Sequence, residues 1–311
     1  MENEGQRKAK LAIRPLRGRN WLLLAVLMLA NFALALGAPL VRMTDTGPVS
    51  AAFWRMFLAL PFLIVLARAN GERLAVLPLR TALIVALGAL AFAGDLGSWH
   101  LGIERTRLGN ATLFANGGSI ILMLWGFVAA WVLPRRLEWL AIICALAGAA
   151  MLMGRSLEIS AETFTGDLFC IFAGLCYAVY LLSLRNERAR FGSWSLLVWV
   201  SVFASPVLLL IAVALGEPVW PQEWTPIIAL VLTSQVIGQG LMVYSLPHFP
   251  PLVIGLALLT QPAIAAAIGW SVFDETLMPL DIVGMLLLGG ALVVAKASQR
   301  NLRPGIAAKR G

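Results

Sequence analysis

Apolar residues fill runs of about twenty positions along this chain, the length at which a helix rising about 1.5 Å per residue crosses a hydrocarbon core. Short polar, basic or Gly/Pro stretches separate the runs. The pattern predicts ten segments, at residues 20–41, 48–68, 79–101, 108–131, 137–154, 166–185, 193–215, 224–245, 251–272 and 280–297. Within a bilayer every backbone N–H and C=O needs a partner inside the protein, so spans of this length are helices. Their connections are short, which makes consecutive helices antiparallel neighbours and leaves no room for a soluble domain. The expected fold class is an all-α integral membrane protein with ten transmembrane helices.

Composition agrees. Of the 311 residues, 60% are hydrophobic and 13% charged, with a mean hydropathy of +0.84; soluble domains carry about a quarter charged residues. The formal net charge of +8 would suggest nucleic acid in a soluble protein, so its meaning depends on where the basic residues fall. With the N-terminus placed inside, nineteen Lys and Arg lie in the tails and inner loops. Only Arg42, Arg105, Arg107 and Arg155 lie in outer loops, and Arg55 is within the second span. This positive-inside bias puts both termini in the cytoplasm and requires no nucleic-acid partner. The first apolar run exceeds the roughly 7–15 residues of a signal-peptide core and no small-residue cleavage site follows it, so it is expected to be a retained span. Cys144, Cys170 and Cys176 lie in apolar runs without metal-ligand spacing and are expected to be packing residues, with no cofactor implied.

A division after Gly154 yields five spans on either side. Trp99–Trp125 lies on Tyr244–Trp270 without a gap, which pairs Asn116 with Gln261 and Gly117 with Pro262, and the stretch from Leu137 resembles that from Leu277 when small gaps are allowed. A repeat with an odd number of spans enters the membrane in opposite directions, so the halves are expected to be inverted repeats, as in many secondary transporters. The expected organisation is a basic cytoplasmic tail at 1–19, a first five-helix repeat at 20–154, a second at 166–297 and a basic cytoplasmic tail at 298–311.

The order of spans, Arg55 within FWRMFLALPFLIVL, the segment GDLFCIFAGLCYAVYLLSLRN from Gly166 and the segment QPAIAAAIGWSVFDETLMPLDIVGMLLLGG from Gln261 resemble the drug/metabolite transporter superfamily, EamA-type, over roughly residues 20–297. In that family the fourth and ninth spans share a Pro followed by an acidic residue at the span's end. Pro262 and Glu275 follow the pattern, whereas Gly117-Gly118 and Pro134-Arg135-Arg136 replace it in the first half. The resemblance is greatest to bacterial amino-acid exporters, aromatic amino-acid exporters among them. It implies a multi-pass protein of the bacterial inner membrane that exports small metabolites, aromatic and neutral amino acids foremost, by alternating access through a central polar and aromatic cavity. Its partners would be a small-molecule substrate and membrane lipid, with the protein a monomer or homodimer.

The polar residues inside the spans locate the expected cavity. Asp95 is the one deep carboxylate, and ionisable groups at such depth face a bundle interior or a water-filled space. Asp95 and Trp99 are four residues apart and share a helix face, as do Thr112 and Asn116 on the next span, with Ser119 three further on. His100 adjoins them. The second half offers Gln235, Gln239 and Gln261, the sixth span Tyr177 and Tyr180, and the first Asn31. Amides and phenols both donate and accept without fixing a net charge, which suits a zwitterionic or neutral solute. If export is coupled to protons, Asp95 is the first titrating candidate and His100 the second. Arg55 is expected to be structural, Trp21, Trp194, Trp220 and Trp224 to belong to the interfacial belt, and Asp167 and Asp281 to cap helices.

Gly117, Gly118 and Pro262 occupy matching places in the two halves and are expected to be bending points, or, for the glycines, sites of close helix approach. An intramembrane enzyme would need clustered acids and bases, HExxH or GxSxG; with His100 and His248 as the only histidines that class is excluded. A channel, or a translocator of lipid or drug with the same fold, is the alternative to a metabolite transporter.

Overall fold

The computed structural model of the chain describes residues 20–74, 76–106, 108–131, 133–154, 162–272 and 277–300. The basic tails, Arg107, Arg155 and Glu275 lie outside them. All regular structure among the described residues is helical: α1 (Asn20–Ala35), α2 (Gly37–Arg42), α3 (Pro48–Ala69), α4 (Leu79–Arg105), α5 (Leu108–Ala115), α6 (Gly117–Ala130), α7 (Arg136–Gly154), α8 (Phe164–Phe191), α9 (Ser193–Ala214), α10 (Thr225–Leu230), a π-helical stretch (Val231–Gln239), α11 (Gly240–Ser245), α12 (Pro251–Leu258), α13 (Gln261–Val272) and α14 (Pro279–Arg300). Seven helical stretches are long and apolar enough to cross a membrane, and Gly117–Ala129 and Pro279–Ala295 are shorter apolar helices. The chain is a multi-pass membrane protein.

Large apolar side chains such as Leu29, Phe62, Leu87 and Ile143 are exposed on the bundle's outside, where lipid replaces water as the solvent. Inside, a continuous apolar cluster runs from Leu27 through Met56, Phe92, Tyr180 and Leu208 to Ala257. The helices α4 and α8, α3 and α9, α7 and α14, and α6 and α12 pack against one another. Helices α5 and α6 approach α8 so closely that a Cβ on Gly118 would fall on the Gly174 carbonyl. Only glycine permits that approach, so Gly118 is a close-contact site.

The pair α3 and α9 is joined by a reciprocal arrangement at its two ends. Each helix is 22 residues long, with Pro61 and Pro206 both at the fourteenth position. Each ends in a Schellman motif. Gly71 (φ 70°) and Gly216 (φ 69°) adopt the left-handed conformation, and the next residues, Glu72 and Glu217, donate backbone N–H bonds to the carbonyls of Ala67 and Ala212. The turn delivers each glutamate to the other helix. Glu72 accepts the N–H groups of Ser193 and Ser195 at 3.1 and 2.8 Å, and Glu217 those of Val49 and Ser50 at 3.3 and 2.8 Å. A carboxylate at a helix N-terminus satisfies orphan donors and meets the positive end of the dipole. At the Glu217 end the clasp extends further: Trp54 donates to the Val219 carbonyl (2.7 Å), and Asp45 accepts the N–H groups of Gln222 and Glu223.

Candidate functional site

Four helical interruptions surround one cavity. The first span breaks at Leu36, between α1 and α2; Pro39, three residues on, has no N–H to return to the Ala35 carbonyl. The pair α5 and α6 is interrupted at Asn116, and the α12–α13 span at Leu259 and Thr260. The fourth irregularity is the π-helical stretch Val231–Gln239, a local widening that recurs at functional sites. Irregular backbone at membrane depth persists where it is buried in protein or lines a polar space. Ala35, Ala38 and Pro39, Ala115 and Asn116, Leu258 and Gln261, and Ser234 and Gln239 all line the same cavity.

That cavity has a volume of about 140 Å³ and is completed by Leu34, Arg55, Asp95, Leu96, Trp99, Thr112, Ser119 and Tyr177. Seven of the eleven residues expected from sequence are among its lining: Asp95, Trp99, Thr112, Asn116, Tyr177, Gln239 and Gln261. Local geometry places them. Asn116 Nδ2 donates to the Thr112 carbonyl (2.8 Å) across the helix break, and its Oδ1 accepts from Ser119 Oγ (3.5 Å). Gln239 Nε2 donates to the Tyr177 hydroxyl at 3.3 Å.

The other four residues stand behind or away from the lining. Tyr180 is fully buried, stacked on Phe92 with ring centroids 4.3 Å apart, and its hydroxyl lies 3.5 Å from Gln239 Oε1. Gln235 is buried and accepts the Arg55 Nε–H at 3.1 Å. Asn31 donates to the Leu27 carbonyl (2.9 Å). His100 is buried with Nδ1 2.8 Å from the Pro48 carbonyl, joining α4 to the start of α3. Periodicity cannot separate Tyr180, Gln235 and His100 from the lining residues, since each lies within five residues of one that does line the cavity.

Arg55 is the residue whose position changes the picture most. It is 2% exposed and yet reaches the cavity. Arg55 and Asp95 attract each other electrostatically across this space, and no ion pair closes between them among the described residues. Of the two expected caps, Asp281 accepts the Met278 N–H (2.9 Å), whereas Asp167 accepts from Thr106 Oγ1 at 2.6 Å and ties α8 to the end of α4. The expected bending points differ from one another. Gly117 has open space where a Cβ would be, Gly118 is pressed on Gly174, and Pro262 stands in the first turn of α13, where its missing N–H costs nothing.

Residues 164–296 match the EamA-like transporter family. The threonine/homoserine exporter RhtA of Escherichia coli (strain K12) is 25% identical to this chain over 289 residues, covering 90% of the chain and 94% of that protein. The second half of the chain thus matches an EamA-like transporter domain. The threonine/homoserine exporter RhtA of Salmonella typhimurium (strain SL1344) is 24% identical over the same shares. An uncharacterized transporter of Archaeoglobus fulgidus is 22% identical over 83% of the chain and 91% of its own length. A solved crystal structure, 18% identical, superposes with a TM-score of 0.75 over 91% of this chain and 98% of its own, a likeness of fold. The chain is a multi-pass protein of the bacterial inner membrane, similar in sequence to proteins named as transporters and exporters.

Proposed function

We propose that this protein exports small neutral amino acids from the cytoplasm by alternating access through the cavity between Asp95 and Gln261. The observation that carries the proposal is the cavity itself: one cation, one anion, amides and a phenol are gathered at the breaks of several helices, the setting in which secondary transporters bind substrate. Relatives named for threonine and homoserine export support the amino-acid class. Size favours the small end of the expected range. A cavity of about 140 Å³ is close to the roughly 150 Å³ that accommodates benzene in an engineered protein core, so threonine fits the scale better than the aromatic amino acids do.

The architecture proposed for this function is ten spans in two inverted repeats, 20–154 and 166–297, flanked by cytoplasmic tails. Support comes from the α3–α9 pair. Helix starts at Pro48 and Ser193, the internal prolines, the left-handed glycines and the capping glutamates all correspond at a shift of 145 residues (193 − 48). The same shift (244 − 99) aligns Trp99–Trp125 with Tyr244–Trp270. Each glutamate caps the opposite helix, so the two helices run antiparallel, as inverted repeats require.

Reconstitution in proteoliposomes tests the function. Preloaded unlabelled threonine should drive counterflow of labelled threonine and homoserine, with phenylalanine and tryptophan exchanging more slowly. Exchange of aromatic amino acids alone would overturn the size argument, and absence of all amino-acid exchange would overturn the substrate class. Unitary currents in a planar bilayer would replace alternating access with a pore.

A further inference from the structure

We infer that Arg55 and Asp95 are the two poles of a zwitterion site, the guanidinium taking the substrate's α-carboxylate and the Asp95 carboxylate its α-ammonium group. The inference rests on the amino-acid reading above and names the atoms by which that class would be recognised.

Both residues line the cavity from different helices, Arg55 from α3 and Asp95 from α4. Their hydrogen-bonding capacity is largely unspent. A guanidinium carries five N–H donors; in Arg55, Nε–H is given to Gln235 Oε1, and no other side-chain bond of Arg55 occurs among the described residues. Asp95 accepts no side-chain hydrogen bond among them. Nor do the two neutralise each other by direct contact, since among the described residues no ion pair joins them. Charges removed from water are retained when they are paired or bound to something. Here they remain apart on the walls of one cavity, and a solute with its own separated charges can pair with both at once.

Gln235 is the positioning residue. Its Oε1 fixes Nε, which leaves the two terminal nitrogens of the guanidinium for a planar carboxylate, the geometry in which arginine exceeds lysine. Its own Nε2 is buried without a partner, so the amide is held for what its oxygen does. The remaining polar groups of the lining are hydroxyls, amides, an indole and a phenol, all neutral. The site thus holds one charge of each sign, matching an amino acid and mismatching an amine or a carboxylic acid alone.

Competition in threonine counterflow by the full-length protein in proteoliposomes tests the assignment. Threonine methyl ester lacks the carboxylate, and N-acetylthreonine lacks the ammonium group. Each should compete at least about tenfold less well than threonine, the loss of one charge-assisted contact. The variants should cross over: Arg55→Gln should erase the penalty on the ester and keep that on the acetyl compound, and Asp95→Asn should do the opposite. Arg55→Lys should recover carboxylate discrimination in part. If the unmodified protein exchanges threonine but both derivatives compete as well as threonine, the zwitterion site is wrong and the amino-acid reading stands. If it exchanges no amino acid, the reading itself fails. Should Arg55→Gln not fold, the derivative panel on the unmodified protein and on the isosteric Asp95→Asn decides the matter, and an unchanged acetyl penalty in Asp95→Asn overturns the assignment.

Discussion

Replacing Glu72 or Glu217 by glutamine probes the device that joins α3 to α9. Each carboxylate accepts two N–H bonds from the first turn of the facing helix, one of them at 2.8 Å. Glutamine retains one oxygen acceptor, turns an NH₂ donor toward the second N–H and removes the charge at the positive end of the dipole. A hydrogen bond to a charged acceptor contributes about 1.5–3 kcal/mol, and the dipole interaction about 0.3–1 kcal/mol. Both glutamates are half-buried, so solvent screening brings the expected loss to about 1–2 kcal/mol per site. The two caps lie at opposite ends of 22-residue helices, about 33 Å apart, well beyond the roughly 7–10 Å over which substitutions couple. The double variant should therefore lose the sum of the two, about 2–4 kcal/mol.

Glycine substitutions provide a second route to the same contacts. A Cβ on Gly47 would fall on the Glu217 carboxylate, and one on Gly192 on that of Glu72. Gly47 has φ −59°, a conformation alanine accepts, so Gly47→Ala should match Glu217→Gln. Gly192 has φ 84° and ψ 165°, a region essentially confined to glycine, and Gly192→Ala should cost about 1–3 kcal/mol beyond Glu72→Gln. Unfolding of the detergent-solubilised protein, followed by a thiol-reactive dye as buried Cys170 becomes accessible, measures all five variants. Wild-type unfolding of either glutamine variant would refute the capping argument. So would a double variant far from additive.

Further outcomes are expected for single substitutions. Gly118→Ala should destabilise the protein by about 1–3 kcal/mol or more, because the Gly174 carbonyl in its way is backbone and cannot rotate aside, whereas Gly117→Ala, facing open space, should unfold like the wild type; unfolding midpoints distinguish them. Unchanged counterflow in Gly117→Ala would also remove Gly117 as a bending point. Tyr177→Phe should raise the KM for exchange, since its hydroxyl lies in the cavity lining with Gln239, while Tyr180→Phe, which removes only a 3.5 Å contact behind the lining, should leave it within about twofold. His100→Ala should lower the unfolding midpoint by breaking the tie to Pro48 without altering competition by threonine derivatives.

Much of this protein is legible in its sequence. Twenty-residue apolar runs under the bilayer's demand for internal hydrogen bonding admit helices and little else. The deep carboxylate Asp95 and the amides on neighbouring spans mark the polar interior, because such groups are too costly to face lipid. What periodicity cannot do is rank polar residues on one helix: Gln235 and Gln239 lie four apart, yet one turns to Arg55 and the other to Tyr177, after the π-helical stretch has altered the local twist. Arg55 reads as structural because its neighbours in sequence are apolar; its cavity and its separation from Asp95 exist only once α3 and α4 are packed. The glutamate caps are equally hidden. Sequence places Glu72 and Glu217 in loops 145 residues apart (217 − 72), and only the antiparallel docking of α3 and α9 brings each carboxylate to the other helix. Local energetics, repeated along the chain, determine the elements; long-range packing decides which polar groups are left over to meet a solute.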